Sequence, residues 1–163
     1  MSAAATMTMT IEDAHGPEDM AVVRELFCEY ARWLGFSLAY QGFEEELAGL
    51  PGKYAQPAGR LLLARAGGAV AGAVALRPLE SGVCEMKRLY VRPAFRGERI
   101  GEALIERVIA EARAIGYRAM RLDTIVGKMP AAVALYRARG FVDIPAYYAS
   151  PIPGTAYMEL RLD

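Results

Sequence analysis

The segment running Val91, Arg92, Pro93, Ala94, Phe95, Arg96, Gly97, Glu98, Arg99, Ile100, Gly101 constrains this chain more than any other. An apolar stretch carrying Met86, Leu89, Tyr90 and Val91 leads into it, and a long amphipathic pattern follows. Pro93 has no N–H to give to a sheet ladder, so a strand ends there. The helix that follows begins with N–H groups that have no intrahelical acceptor. Its dipole adds about half a positive charge at that end. A basic, glycine-bearing turn at a helix start of this kind is a receptor for phosphate or pyrophosphate.

The rest of the chain reads as one α+β domain over residues 8–163, preceded by a flexible tail over residues 1–7. A short strand is expected over Thr8 to Ala14. Pro17, Glu18 and Asp19 open a helix whose apolar positions Val22, Val23, Leu26, Phe27, Tyr30 and Leu34 recur at helical spacing, with Gly35 as its stop. A short helix near Phe43 to Leu50 ends at Pro51. Leu61 to Arg65, Gly67-Gly68 and Ala69 to Leu76 form a hairpin pattern. A strand over Val83 to Val91 precedes the glycine turn. The following helix carries its buried stripe on Leu104, Ile105, Val108, Ile109, Ala112 and Ile115. A strand through Asp123, a helix from Pro130 to Arg139, a strand from Phe141 and a closing strand over Ala156 to Leu162 complete the order.

Charge narrows the partners. The chain is neutral overall, with 54% apolar residues, yet residues 1–50 hold two basic side chains against nine acidic ones, and the remainder holds seventeen against ten. A polyanion such as nucleic acid is not expected, whereas a small anionic ligand in the second half is. The acids Glu44, Glu45 and Glu46 point to a cationic ligand near the first helices. Cys28 and Cys84 have no metal-ligand spacing and His15 is the single histidine, so no metal site is expected and both cysteines read as reduced core residues. Nothing in the first residues has the form of a signal peptide, and Ala69 to Leu76 is too short to span a bilayer. The expected setting is the cytoplasm, away from membranes.

Two landmarks carry a family resemblance. Arg96-Gly97-Glu98-Arg99-Ile100-Gly101 is similar to the pyrophosphate signature Arg/Gln-x-x-Gly-x-Gly/Ala, and Ala134-Leu135-Tyr136-Arg137-Ala138-Arg139-Gly140-Phe141 is similar to a Leu-Tyr…Gly-Phe helix end. With the element order, they make nearly the whole chain resemble the GCN5-related N-acetyltransferases. Arg99 departs from the signature, standing where the family usually has glycine. Met129 stands where many members carry an asparagine that touches coenzyme A.

The resemblance implies a three-layer α/β/α domain with a mixed, largely antiparallel sheet splayed at the acetyl-CoA site, and homodimers are common in the family. It implies acetyl-CoA as donor, held by Arg96, Gly97, Glu98, Arg99, Ile100 and Gly101, with the pantetheine arm along Leu89, Tyr90 and Val91. Glu98 and Glu102 are read as facing outward. The acceptor is expected to be an amine of a small molecule or peptide. An alkyl ammonium has a pKa of about 10.4, so fewer than about one in 10³ is nucleophilic at pH 7, a deficit of roughly 4–5 kcal/mol unless a base takes the proton. Glu85, eleven residues before Arg96, resembles the glutamate base of the histone-acetylating branch. A water chain, or a plain Glu85–Lys87 pair on one strand face, are the other readings. The resemblance makes Tyr136 the acid that protonates the leaving thiolate and a further contact to the donor. Tyr30, Trp33, Phe36, Tyr40, Tyr147 and Tyr148 are expected around the acceptor. A non-catalytic acyl-CoA-binding regulatory module is the alternative.

Overall fold

A computed structural model describes residues 8–163; the expected tail, residues 1–7, lies outside them. Seven strands form one sheet: β1 (Met9–Asp13), β2 (Arg60–Ala66), β3 (Ala69–Glu80), β4 (Val83–Val91), β5 (Ala119–Ile125), β6 (Val142–Ile144) and β7 (Thr155–Arg161), in the order β1-β2-β3-β4-β5-β7-β6. Four helices cover it: α1 (Gly16–Leu34), α2 (Phe43–Ala48), α3 (Ile100–Ile115) and α4 (Pro130–Ala138). Every strand pair is antiparallel except β4 with β5. This is the expected splayed three-layer arrangement.

Two cores sit on opposite faces of the sheet. On one, Val23, Leu26 and Phe27 of α1 and Phe43 of α2 pack on Leu63, Ala73, Ala75 and Tyr90. On the other, Leu104, Ile105 and Val108 of α3 and Tyr136 of α4 pack on Leu62, Val74, Leu76, Met86, Met120 and Leu122. Strands covered on both faces carry continuous apolar runs, as Leu61 to Ala64 does. Each fully buried leucine contributes about 1.5–3 kcal/mol of transfer free energy. Gly35 and Gly116 end α1 and α3 in the left-handed conformation.

Two boundaries differ from the sequence expectation. β3 continues past Leu76 through Pro78, because the register shifts at Pro78 and the ladder there does not need the missing N–H. The strand expected from Phe141 begins at Val142, since the Phe141 N–H donates to the Tyr136 carbonyl and its ring is buried in the core. Cys84 is buried as expected, whereas Cys28 is only half-buried.

The sheet opens between β4 and β5. They pair only over Val83–Glu85 and Ala119–Arg121, while β5 stays paired with β7 along its length. On its other edge β4 carries a bulge. Tyr90 faces Ala73 and Lys87 faces Ala75, so Arg88 and Leu89 together oppose Val74. Arg88 takes a left-handed φ of 61° there. The bulge turns Lys87 and Arg88 toward the same helix layer, where α1 and α2 lie, instead of alternating.

Candidate active site

The turn after β4 forms a cradle of amides. Gly97 (φ 87°) and Arg99 (φ 62°) both adopt left-handed conformations, which turn successive N–H groups toward one side. Among the described residues, no protein group accepts from the amides of Gly97 to Glu102. The Arg96 amide is different: it donates to the Pro93 carbonyl at 3.3 Å. The Arg96 guanidinium folds back onto the Val91 carbonyl (3.1 Å) and over the Trp33 and Tyr90 rings. The expected cradle therefore begins at Gly97 and not at Arg96. Ile100 has its side chain in the core and offers its N–H alone. Glu98 is exposed, and Glu102 is drawn aside by Arg139 at 2.5 Å. Arg92 anchors the turn to α1 through Glu25 (2.9 Å) and Glu29 (2.8 Å).

A narrow cleft of about 20 Å³ lies in the opening between β4 and β5, lined by Tyr30, Met86, Lys87, Arg88, Leu89, Leu122, Asp123, Met129 and Tyr136. Tyr136 reaches it from α4, against Phe141. The side chain is buried, yet its hydroxyl has no hydrogen-bond partner among the described residues. Burial pushes its pKa well above the ordinary 10, so the phenol stays protonated and can donate. Met129 caps the start of α4, and its sulfur accepts from Thr124 Oγ1 at 3.5 Å.

Beyond the cleft lies a cavity of about 280 Å³ lined by Tyr40, Gln41, Arg77, Leu79, Glu85, Lys87, Tyr147 and Tyr148. Lys87 lines both spaces. Glu85 is buried here, and both its oxygens are engaged. Oε1 accepts from Arg77 Nε at 2.8 Å, and Oε2 accepts from the Tyr147 hydroxyl at 2.6 Å. Lys87 Nζ stands 3.9 Å from Oε1 and donates to Gln41 Oε1 at 3.2 Å. The Glu85–Lys87 proximity is thus present, but Arg77 is the closer cation. Tyr147, Tyr148 and Tyr157 pack edge to face, and the Tyr148 hydroxyl donates to Asp123 Oδ2. Burial first, then the neighbouring carboxylates, hold the Tyr147 and Tyr148 phenols protonated.

Several expected residues take other positions. Trp33 does not line the acceptor cavity; its ring lies beside Arg96 (5.5 Å) and Lys128 (5.4 Å), near the cradle. Tyr30 lines the cleft, edge to face with Tyr90, and not the outer cavity. The Tyr90 side chain faces α1, so only its backbone can meet a ligand in the opening. Leu89 and Val91 pack on the α3 side. The acids of the first fifty residues are largely spent on arginines: Glu46 on Arg88, Glu25 and Glu29 on Arg92, Glu12 and Asp19 on Arg65. Glu44 and Glu45 are exposed. Of the three acids Glu44, Glu45 and Glu46, only Glu46 is paired with an arginine, and Glu45 and Glu46 line a pocket of about 290 Å³ beside Gln41 and Arg77.

Arg77, Arg88 and Asp123 were not singled out from sequence as site residues, and Lys87 was named there only as a strand-face partner of Glu85. Their local sign was at most charged residues among apolar ones along β3, β4 and β5, which an ordinary half-buried strand also shows. Among the described residues, no three His, Cys, Asp or Glu side chains gather as a metal site, and no helix is long and apolar enough to cross a membrane.

A sequence profile of the Acetyltransferase (GNAT) family matches residues 20–141. The chain belongs to this family. It is 40% identical over 148 residues to an uncharacterised N-acetyltransferase of Schizosaccharomyces pombe, covering 90% of each chain. It is 42% identical over 110 residues to an IAA acetyltransferase of Azospirillum brasilense, covering 66% of this chain and 71% of that one. A GNAT family acetyltransferase of Brucella melitensis, solved in complex with acetyl-CoA, superposes with a TM-score of 0.67 at 25% identity, over 94% of this chain and 88% of that one. The free amides of Gly97 to Glu102 offer an anion site, and the gap between β4 and β5 leaves backbone groups of β4 without a strand partner on that side.

Proposed function

We propose that the protein transfers an acetyl group from acetyl-CoA directly to a primary amine of a small molecule or peptide. The observation that carries this reading is the unpartnered Tyr136 hydroxyl in the β4–β5 cleft, a space that shares Lys87 with the outer cavity. The diphosphate rests on the amides of Gly97 to Gly101, each charge-assisted bond contributing about 1.5–3 kcal/mol. The pantetheine arm takes the place of a strand beside Leu89 and Val91. The acceptor amine attacks the thioester carbonyl carbon; the C–N bond forms and the C–S bond breaks. Tyr136 gives its proton to the departing thiolate. The proton lost by the amine passes to Glu85 through water or through the Tyr147 hydroxyl that already bonds Oε2. The place of action proposed is the cytoplasm.

Thiol release from acetyl-CoA, followed over a panel of primary amines beside a thermal-shift titration with acetyl-CoA, tests this. Amine-dependent release is expected. Stabilisation by acetyl-CoA with no release on any amine would instead establish the regulatory binding module.

A further inference from the structure

The outer cavity contains more positive charge than it compensates. Its lining holds two cations, Arg77 and Lys87, and one carboxylate, Glu85. Both cations converge on the same oxygen, Glu85 Oε1, at 2.8 and 3.9 Å. Arg77 spends only Nε on that contact; among the described residues, nothing engages its two terminal nitrogens. Lys87 Nζ has one hydrogen bond, to Gln41, although its side chain is only 9% exposed. Two acids share an adjoining pocket with Arg77: Glu46 already holds Arg88 through two bonds of 3.0 Å, and Glu45 is exposed and makes no ion pair with Arg77 among the described residues. Burial first, then the charge of Arg88, lowers the Lys87 pKa, as expected of an ammonium short of counter-charge.

The inner end offers a carboxylate, with Arg88 there already bonded to Glu46 and Gln41 and Lys87 shared by both spaces. Asp123 lines the cleft beside Tyr136, and its Oδ1 has no partner among the described residues, Oδ2 being taken by Tyr148. An anion is therefore called for at the outer end and a cation at the inner end, next to the acid that assists transfer.

We propose that Arg77 and Lys87 form a carboxylate-binding subsite and Asp123 an amine-binding one, so that the acceptor is a small amino acid-like molecule carrying both groups. This rests on the acetyl-transfer reading and names its substrate class. The terminal nitrogens of Arg77 suit the two oxygens of a carboxylate, and Lys87 adds a point charge from the side. The tyrosines Tyr40, Tyr147 and Tyr148 supply the walls for the part between. A cavity of about 280 Å³ is at the small end for ligand sites, in keeping with a single residue-sized acceptor.

The test compares free amino acids with their carboxamides on the wild-type protein, by thiol release and by thermal shift. One charge-assisted contact corresponds to roughly a 10- to 100-fold preference for the carboxylate in kcat/KM. Carboxamide amines are the less basic, so their chemistry alone would favour them, and a carboxylate preference has to come from binding. In Lys87→Met and in Arg77→Gln the preference should shrink through KM. Lys87→Met leaves the Arg77–Glu85 pair in place should Arg77→Gln fail to fold. Equal or better use of the carboxamides by wild type would overturn the subsite. A thermal shift from amino acids but not carboxamides, with no thiol release from any amine, would uphold the subsite while removing the acetyl-transfer reading.

Discussion

Removing one oxygen at Tyr136 separates chemistry from folding. The hydroxyl has no hydrogen-bond partner among the described residues while the ring packs on Phe141, so Tyr136→Phe should keep Tm and acetyl-CoA affinity but lower kcat by roughly 10²-fold or more. Unchanged turnover would remove the acid assignment. The same burial sets the alkaline limit. An acid must be protonated to act, and the Tyr136 pKa is raised above 10, so kcat should show no decline up to about pH 10. A downturn between pH 8 and 9 would point to a different acid. Arg99 is the complementary case, a side chain in a backbone conformation that favours glycine. Its φ of 62° costs about 1 kcal/mol, against a similar entropic cost for glycine in the unfolded chain. Arg99→Gly should therefore not lower Tm and should hold the acetyl-CoA Kd within about threefold. A tenfold weaker Kd would show that the arginine side chain itself grips the ligand. At this scale the sequence was informative where a residue's role is local. Arg99 and Tyr136 stand in short motifs with their neighbours. Asp123 and Lys87 acquire roles only from the cleft between two strands, which no short window contains.

Strand β4 decides what the site looks like. Periodicity located it correctly, but alternation placed Glu85 and Lys87 on one face and Arg88 on the other. The bulge at Arg88–Leu89 cancels that alternation and brings Arg88 into the α2 layer. Nothing local in Lys87-Arg88-Leu89 announces a left-handed arginine; tertiary pairing imposes it. Arg88 is 3% exposed, bonds both Glu46 oxygens through Nε and Nη2, and lies 5.2 Å from the Phe43 ring centre. It also bonds Gln41, which lines the outer cavity. Deleting the partner of a buried charge costs about 3–5 kcal/mol. Glu46→Ala should therefore lose about that much stability and raise the acceptor KM more than the acetyl-CoA Kd, because α2 and the Gln41 turn border the acceptor and not the cradle. Denaturant unfolding measures the first and steady-state kinetics the second. A loss under about 1 kcal/mol would mean that Arg88 finds water or another acceptor in place of Glu46.

Over the whole molecule, the acidic first third and the basic remainder are one arrangement seen twice. Arg65, Arg88 and Arg92 cross to β1, α1 and α2 and pair with five of the nine acids of the first fifty residues, Glu46 among them. Pairing of this kind cannot be read from a linear charge count, since it depends on which strands the helices cover. The sheet meanwhile remains weakly joined at its middle, where β4 and β5 share three residue pairs. A ligand filling that opening, anchored at the cradle, ties the two halves together and should raise the unfolding temperature. At one hundred times Kd the gain is about 2.7 kcal/mol, or roughly 5–10 °C for a chain of this size. Gly101→Asp sets the two requirements of the cradle against each other. A Cβ at Gly101 meets only Val91 Cγ2, at 3.7 Å, so the side chain has room. A carboxylate in the first turn of α3 favours the helix dipole by about 0.3–1 kcal/mol, and aspartate is a better helix residue than glycine. The free variant should thus unfold at the wild-type temperature or above it. The same negative charge opposes a diphosphate on those amides, so the rise with acetyl-CoA should disappear. A variant that keeps the full rise would show the diphosphate bound elsewhere, whereas one that unfolds early without ligand would show that Gly101 serves the fold and not the cradle.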